Sequence, residues 1–237
     1  MKKGLPGRWP AVLLAAALFS CTKTTPLSGS ASLTIVNAVA GSNPLTTNFS
    51  KEPAVDWYTK LSFGTFQEFS CPGGTTSLAL YQAPDTLAKS APLYSLDLEL
   101  PVNTIHSLFL TGTTSHPDTL FTIDTPPFHA PADSSMGVRF VNLSPGSAPV
   151  SVDILGQANG SEVGSLSYKS LSAFRNYAAT AAVSAYTFEF RDAASGTLLA
   201  SYVLPPSPYR NYTIAFEGLP GPGAGATPQG SYLINNY

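Results

Sequence analysis

Val138-Arg139-Phe140-Val141-Asn142-Leu143-Ser144-Pro145-Gly146-Ser147-Ala148-Pro149-Val150-Ser151-Val152-Asp153-Ile154 reads as strand, turn, strand. The first run is apolar and β-branched. Ser144-Pro145-Gly146 supplies a turn, with a fixed φ at proline and freedom at glycine. Val150, Val152 and Ile154 then alternate with Ser151 and Asp153. Strand side chains point to opposite faces, so alternation buries one face and wets the other.

The same alternation recurs along the chain. Leu96, Leu98 and Leu100 interleave with Asp97 and Glu99; Tyr186, Phe188 and Phe190 with Thr187, Glu189 and Arg191; Tyr212, Ile214 and Phe216 with Thr213, Ala215 and Glu217. Turn signals separate the runs at Cys71-Pro72-Gly73-Gly74, Asn159-Gly160 and Ala194-Ser195-Gly196. No long stretch carries a 3.6-residue stripe. Tyr177 to Ser184, the best helix candidate by propensity, is short and reads as a loop or strand edge. Many short strands without βαβ alternation predict an all-β chain of immunoglobulin-like antiparallel β-sandwiches. An eight-stranded barrel over the whole chain is the alternative.

The opening stretch has an echo. Leu33-Thr34-Ile35-Val36-Asn37 through Gly41-Ser42-Asn43-Pro44 aligns with Val138 through Pro149 at an offset of 105 residues. Tyr58-x-x-Leu61-Ser62 matches Tyr168-x-x-Leu171-Ser172, and Leu78-Ala79-Leu80 matches Phe188-Glu189-Phe190. Leu100-Pro101 matches Leu204-Pro205, Leu108 to Gly112 matches Ile214 to Gly218, and Phe121 to Asp124 resembles Leu233 to Asn236. Matches in one order argue for a duplication. The expected organisation is a leader over residues 1–20, a tether over 21–30, a sandwich over 31–124, a proline-rich linker over 125–135 and a second sandwich over 136–237.

Lys2, Lys3 and Arg8 precede an apolar run, Ala11 to Phe19, in the layout of a cleaved export signal. That run is about half the ~20 residues a spanning helix needs. Leu18-Phe19-Ser20-Cys21 resembles the lipobox of bacterial lipoproteins. The resemblance implies cleavage before Cys21, acylation of its thiol and new amino group, and an outer-membrane lipoprotein, since no Asp follows the cysteine. Several acyl chains give a lasting anchor where one holds marginally.

The chain has 237 residues, 12 basic and 14 acidic, and only 11% are charged. Losing Lys2, Lys3 and Arg8 leaves 9 basic against 14 acidic residues, a net charge of −5. No basic block remains to neutralise phosphates, so nucleic acid is an unfavourable partner. With 43% hydrophobic residues the chain can build a core. If Cys21 is acylated, Cys71 is the one remaining thiol and no intrachain disulfide forms.

Val138 to Ile154 also resembles the opening of domain-of-unknown-function 4397 repeats, through Arg139, Asn142, Ser144, Pro145, Gly146 and Asp153. Such repeats occur in secreted and lipid-anchored bacterial proteins, often in tandem and often from Bacteroidota. The first copy departs from the pattern, with Thr34 for the arginine and Ala40 for the proline. The resemblance implies a β-sandwich in the envelope and carries no activity. By its residue types, Asn142 is expected to hydrogen-bond backbone as the strand turns.

Little catalytic chemistry is legible. His106, His116 and His129 fall at a strand start, in a loop and in the linker, without zinc spacing. No Gly-x-Ser-x-Gly elbow, Walker loop or Asp-x-Asp-x-Asp-Gly loop is present. Asp97 and Glu99 read as solvated carboxylates. No cofactor and no metal are expected. Trp57 and Tyr58 are candidate ligand-contact aromatics. Asp85-Thr86-Leu87 and Asp118-Thr119-Leu120 resemble an O-glycosylation acceptor of Bacteroidota, at Thr86 and Thr119. The expected function is a non-enzymatic, membrane-anchored binding, adhesion or assembly module whose partner is a glycan or an envelope protein. The alternatives are a glycan-binding accessory subunit of an uptake system and a hydrolase with an unrecognised carboxylate site.

Overall fold

The computed structural model describes residues 1, 29–49, 60–84, 91–130, 132–222, 225 and 227–236. They form fifteen strands and no helix. In the first sandwich, β3 (Thr65–Pro72), β1 (Ser30–Asn37), β6 (Ile105–Gly112) and β7 (Pro117–Asp124) make one sheet in that order. The sheet β2 (Leu45–Asn48), β4 (Gly74–Gln82), β5 (Tyr94–Leu100) packs against it. In the second, β11 (Arg175–Ala178), β8 (Ser135–Asn142), β14 (Asn211–Glu217) and β15 (Gly230–Asn236) face β10 (Val163–Leu166), β9 (Val150–Ile154), β12 (Tyr186–Asp192) and β13 (Leu198–Leu204).

The alternating residues fill the two cores. Leu33, Ile35, Leu78, Leu80, Leu108 and Leu110 pack in the first. Val138, Phe140, Val152, Phe188, Phe190 and Phe216 pack in the second. Pairing departs from a purely antiparallel plan at one place per sandwich. β1 runs parallel to β6, from Ser32↔Ile105 to Asn37↔Leu110, and β8 runs parallel to β14. These partners are far apart in sequence, so no hairpin forces them antiparallel.

β6 and β14 also depart from one wet face. The face of β14 carrying Thr213, Ala215 and Glu217 is buried too. The cause is a third apolar cluster, Val36, Ala38 and Phe109 against Val141, Leu143, Ala215 and Ile234. The two sandwiches meet through these faces and stack four sheets deep. Strands buried on both faces lose polar alternation.

The duplication extends to individual hydrogen bonds. Asn37 Nδ2 donates to Leu61 O (3.0 Å), and Asn37 Oδ1 accepts from Val39 N (3.0 Å). Asn142 Nδ2 donates to Leu166 O (3.0 Å), and Asn142 Oδ1 accepts from Ser144 N (3.0 Å). The expected backbone role of Asn142 is therefore seen, twice. These bonds also correct the register. Leu61 corresponds to Leu166, and Gly64 (φ 72°) to Lys169 (φ 62°), both donating N–H to that asparagine's carbonyl. Likewise Thr76↔Leu98 and Tyr186↔Leu204 make Leu98, and not Leu100, the counterpart of Leu204.

Across the interface Arg139 Nη1 donates to Asp124 Oδ1 (2.8 Å), while within its own sheet Arg139 Nε donates to Thr213 Oγ1 (2.8 Å). Ser107 Oγ donates to Asp124 Oδ2 (2.6 Å). The Pro127 to Asn211 region is pinned as well. Asn211 Nδ2 donates to Pro127 O (3.0 Å), and the buried His129 ring lies 3.0 Å from Ser135 Oγ and 3.1 Å from Asn211 Oδ1.

Candidate functional site

The chain changes sheet at Cys71-Pro72-Gly73-Gly74, where β3 ends and β4 begins. Gly74 adopts φ 114°, which a side chain resists. Gly73 N donates to Gly29 O (2.9 Å), and a Cβ at Gly73 would lie 2.4 Å from Val102. Beside this corner opens a groove of about 650 Å³, lined by Phe49, Phe69, Cys71, Thr76 and Ser77 among others. The Phe49 and Phe69 rings meet at 4.9 Å and 59°. On the neighbouring strand face, Thr75 Oγ1 donates to Glu99 (2.5 Å) and Ser77 Oγ to Asp97 (2.6 Å).

The second sandwich explains the groove. Register places Cys71 opposite Ala31 and Tyr177 opposite Met136, which makes Cys71 and Tyr177 counterparts. Through β2 and β9, Leu80 corresponds to Phe190, and two residues earlier in each strand pair Leu78 with Phe188 and Thr76 with Tyr186. Tyr177 packs edge-on against Tyr186 (5.4 Å) and Phe188 (5.3 Å). Its hydroxyl donates to Glu162 Oε2, while Tyr186 donates to Ala178 O (2.9 Å). In the first sandwich the thiol of Cys71 and the hydroxyl and methyl of Thr76 stand where the second has two phenol rings. The space those two rings would fill forms part of the groove.

Its chemistry is uncharged. Burial pushes the Cys71 thiol above its usual pKa, so little thiolate forms. The groove's described lining carries aromatic faces, hydroxyls and backbone, without a base beside the thiol. Such a surface suits stacking and hydrogen bonding, not nucleophilic attack.

The residues expected from sequence fall elsewhere or outside. Leu18, Phe19, Ser20, Cys21, Trp57, Tyr58 and Thr86 lie outside the described residues. Thr119 sits half-buried in β7, its N–H donating to Asp118 Oδ1 (2.8 Å). The histidines are not brought together. His106 is buried, stacked on Phe121 (5.1 Å) and shifted down by that burial. His116 sits in an exposed turn, and His129 is held as described. Among the described residues no group of three His, Cys, Asp or Glu is placed to hold a metal. Asp97 and Glu99 line the outer face of β5 with their hydroxyl partners. Sequence reading missed the Arg139–Asp124 pair and the buried Glu217; an arginine inside the apolar run Val138 to Val141 was the available signal.

The profile for "Domain of unknown function (DUF4397)" matches residues 31–153, from β1 through most of β9. The chain belongs to the DUF4397 family. No curated protein matches it in sequence. Among solved structures, the Bacillus anthracis TIE protein is similar over 79% of this DUF4397 chain and 33% of its own length, at 9% identity and TM-score 0.23. The chain thus spans about a third of that protein. The CBM26-family module of Eubacterium rectale Amy13K, solved with maltoheptaose, is similar over 87% and 97%, at 12% identity and TM-score 0.26. A Bacteroides ovatus protein described as a candidate adhesin is similar over 88% and 95%, at 11% identity and TM-score 0.26.

Proposed function

We propose that this chain is a non-enzymatic binding module of the cell envelope, anchored through Cys21 as an outer-membrane lipoprotein, and that the first-sandwich groove holds a neutral sugar ring. The observation that carries the reading is the asymmetry between the copies. The same slot is plugged by Tyr177 and Tyr186 in one and open in the other. An open slot of this size beside two phenylalanines takes one flat, ring-shaped ligand. At its rim the Thr75 and Ser77 hydroxyls donate to Glu99 and Asp97 and can accept from a ligand hydroxyl, while the lining residues themselves carry no charge, which favours a neutral polyol over an anionic ligand. Trp57 and Tyr58 remain candidate contacts, since they fall in the chain between Phe49 and Lys60.

The test refills the slot with the second copy's own side chains. Mature protein and its Cys71→Tyr/Thr76→Tyr variant are titrated calorimetrically against neutral oligosaccharides. Saturable binding by the parent, lost in a variant that melts no lower, supports the reading. Equal binding by both, or turnover of the oligosaccharide, overturns it. Cys21→Ala tests the anchor separately, by loss of membrane partition and of labelled fatty acid.

A further inference from the structure

One pole of the molecule gathers several exposed apolar side chains, and the tether enters there. β1 starts at this pole, where Ser30 O accepts from Asn103 N (3.0 Å) and Ser32 pairs with Ile105. Ile105 pairs in turn with Asp124, the end of β7. The second sandwich begins at the same pole, since Tyr209 N donates to Ser135 O (2.9 Å) and Asn211 Nδ2 to Pro127 O. Phe128 is 87% exposed, Ile123 64%, Val102 46% and Tyr209 46%. Arg210 lies exposed beside Tyr209.

We infer that the part of this pole formed by the loops of Phe128 and Tyr209, away from the groove beside Val102, docks on a phospholipid bilayer surface, with Phe128 and Tyr209 seated among the headgroups. The inference rests on the acylation of Cys21 proposed above. Gly29 is eight residues after Cys21, and eight residues reach at most about 28 Å. The pole is therefore held within that distance of the membrane. Both aromatics sit on proline-rich loops, Pro126-Pro127-Phe128 and Pro205-Pro206-Ser207-Pro208-Tyr209. Prolines carry no N–H to desolvate and fix φ, so such loop tips enter an interface at low cost. Tyr209, with its polar hydroxyl edge, favours the headgroup level, Phe128 offers an apolar ring to bury there, and Arg210 can keep its charge in water while its stem lies on apolar surface. Asp133, the carboxylate beside the first loop, is turned to His129 (3.5 Å).

Nitroxide labels at Thr125→Cys and Ser207→Cys flank the two aromatics without replacing them. Ser115→Cys, in the turn at the far ends of β6 and β7, is the control. Cys71, 4% exposed, stays unlabelled. The acylated chain is inserted into phosphatidylethanolamine/phosphatidylglycerol vesicles, and collision with aqueous chromium oxalate is read by spin resonance. Docking lowers accessibility several-fold at 125 and 207 and leaves 115 unchanged, and Phe128→Ser/Tyr209→Ser restores it. Equal accessibility at all three positions overturns docking while leaving the anchor intact. The mass of the native membrane-derived chain checks acylation independently. If Cys21 carries no lipid, the anchor reading falls. The same labels on a chain held to chelator-lipid vesicles by a histidine tag at the tether then decide docking alone.

Discussion

Glu217→Gln should remove most of the chain's loss of stability between mildly acidic and mildly alkaline pH. Glu217 is 5% exposed, and its Oε2 has no hydrogen-bond partner among the described residues. Gly64 of the first sandwich approaches so closely that a Cβ there would lie 2.9 Å from Glu217 Oε1. Burial pushes its pKa up to about 8 from 4.5. The folded state therefore keeps a proton that the unfolded chain releases. Below pH 4.5 both states hold it and the group costs nothing. Between pH 4.5 and 8 the unfolded state binds fewer protons, so stability falls as pH rises; above 8 the cost levels off. At 1.36 kcal/mol per unit the full cost is about 5 kcal/mol, a large share of the ~5–15 kcal/mol typical of a domain. Urea unfolding of both proteins at pH 5 to 9 reads this directly. Glutamine imitates the protonated acid, so the curves lie within about 1 kcal/mol of each other at pH 5 and diverge steadily to pH 8. The difference cancels other groups, such as the buried His106. Parallel profiles over that range would refute the placement of Glu217 as a buried neutral acid.

Arg139→Met leaves Asp124 buried without its cation and should cost about 3–5 kcal/mol in urea unfolding, with Arg139→Met/Asp124→Leu recovering most of it. A single-variant loss below 1 kcal/mol would contradict the interface described. Asn37→Ala and Asn142→Ala each remove the acceptor of a buried N–H, Val39 and Ser144, so each should cost about 1–3 kcal/mol, alike within about 1 kcal/mol. Strongly unequal losses would break the equivalence of the two copies. Lys169→Gly trades the half-exposed Asp118 ion pair (2.7 Å), worth at most about 1 kcal/mol, for relief of a left-handed backbone costing about 1–2 kcal/mol. Thermal melting should change by less than a few degrees, and a large drop would mean the ion pair carries more than its exposure allows.

The alternation of β5, β9, β12 and β14 was legible because each strand has one face on a core of its own sandwich. What lay on the opposite face was not. Thr213, Glu217 and Arg139 read as solvent residues in a strand seen alone, yet they are buried because a second sandwich covers them. Sequence cannot distinguish water from a neighbouring sheet when that sheet accepts polar groups. The groove was hidden for a related reason. Tyr177 and Cys71 become counterparts only once the register is known. Identity favoured the wrong pairing of Leu100-Pro101 with Leu204-Pro205, since both pairs lie near strand ends but two register positions apart.

The duplicated interface also carries its own specificity. Register makes Thr34 the counterpart of Arg139, and Asn236 the counterpart of Asp124. Thr213 Oγ1 donates to Asn236 Oδ1 (2.5 Å), as Ser107 does to Asp124. One half of the near-symmetric contact therefore holds a buried ion pair, and the other holds two neutral side chains. Pairing two first sandwiches through this face would set Asp124 against Thr34 twice and bury two carboxylates without cations. Pairing two second sandwiches would set Arg139 against Asn236 twice and bury two guanidinium groups without anions. Each unpaired buried charge costs several kcal/mol, and only the mixed pair avoids both. The arginine that marks the second copy thus selects a first-copy face over a second-copy face as its partner.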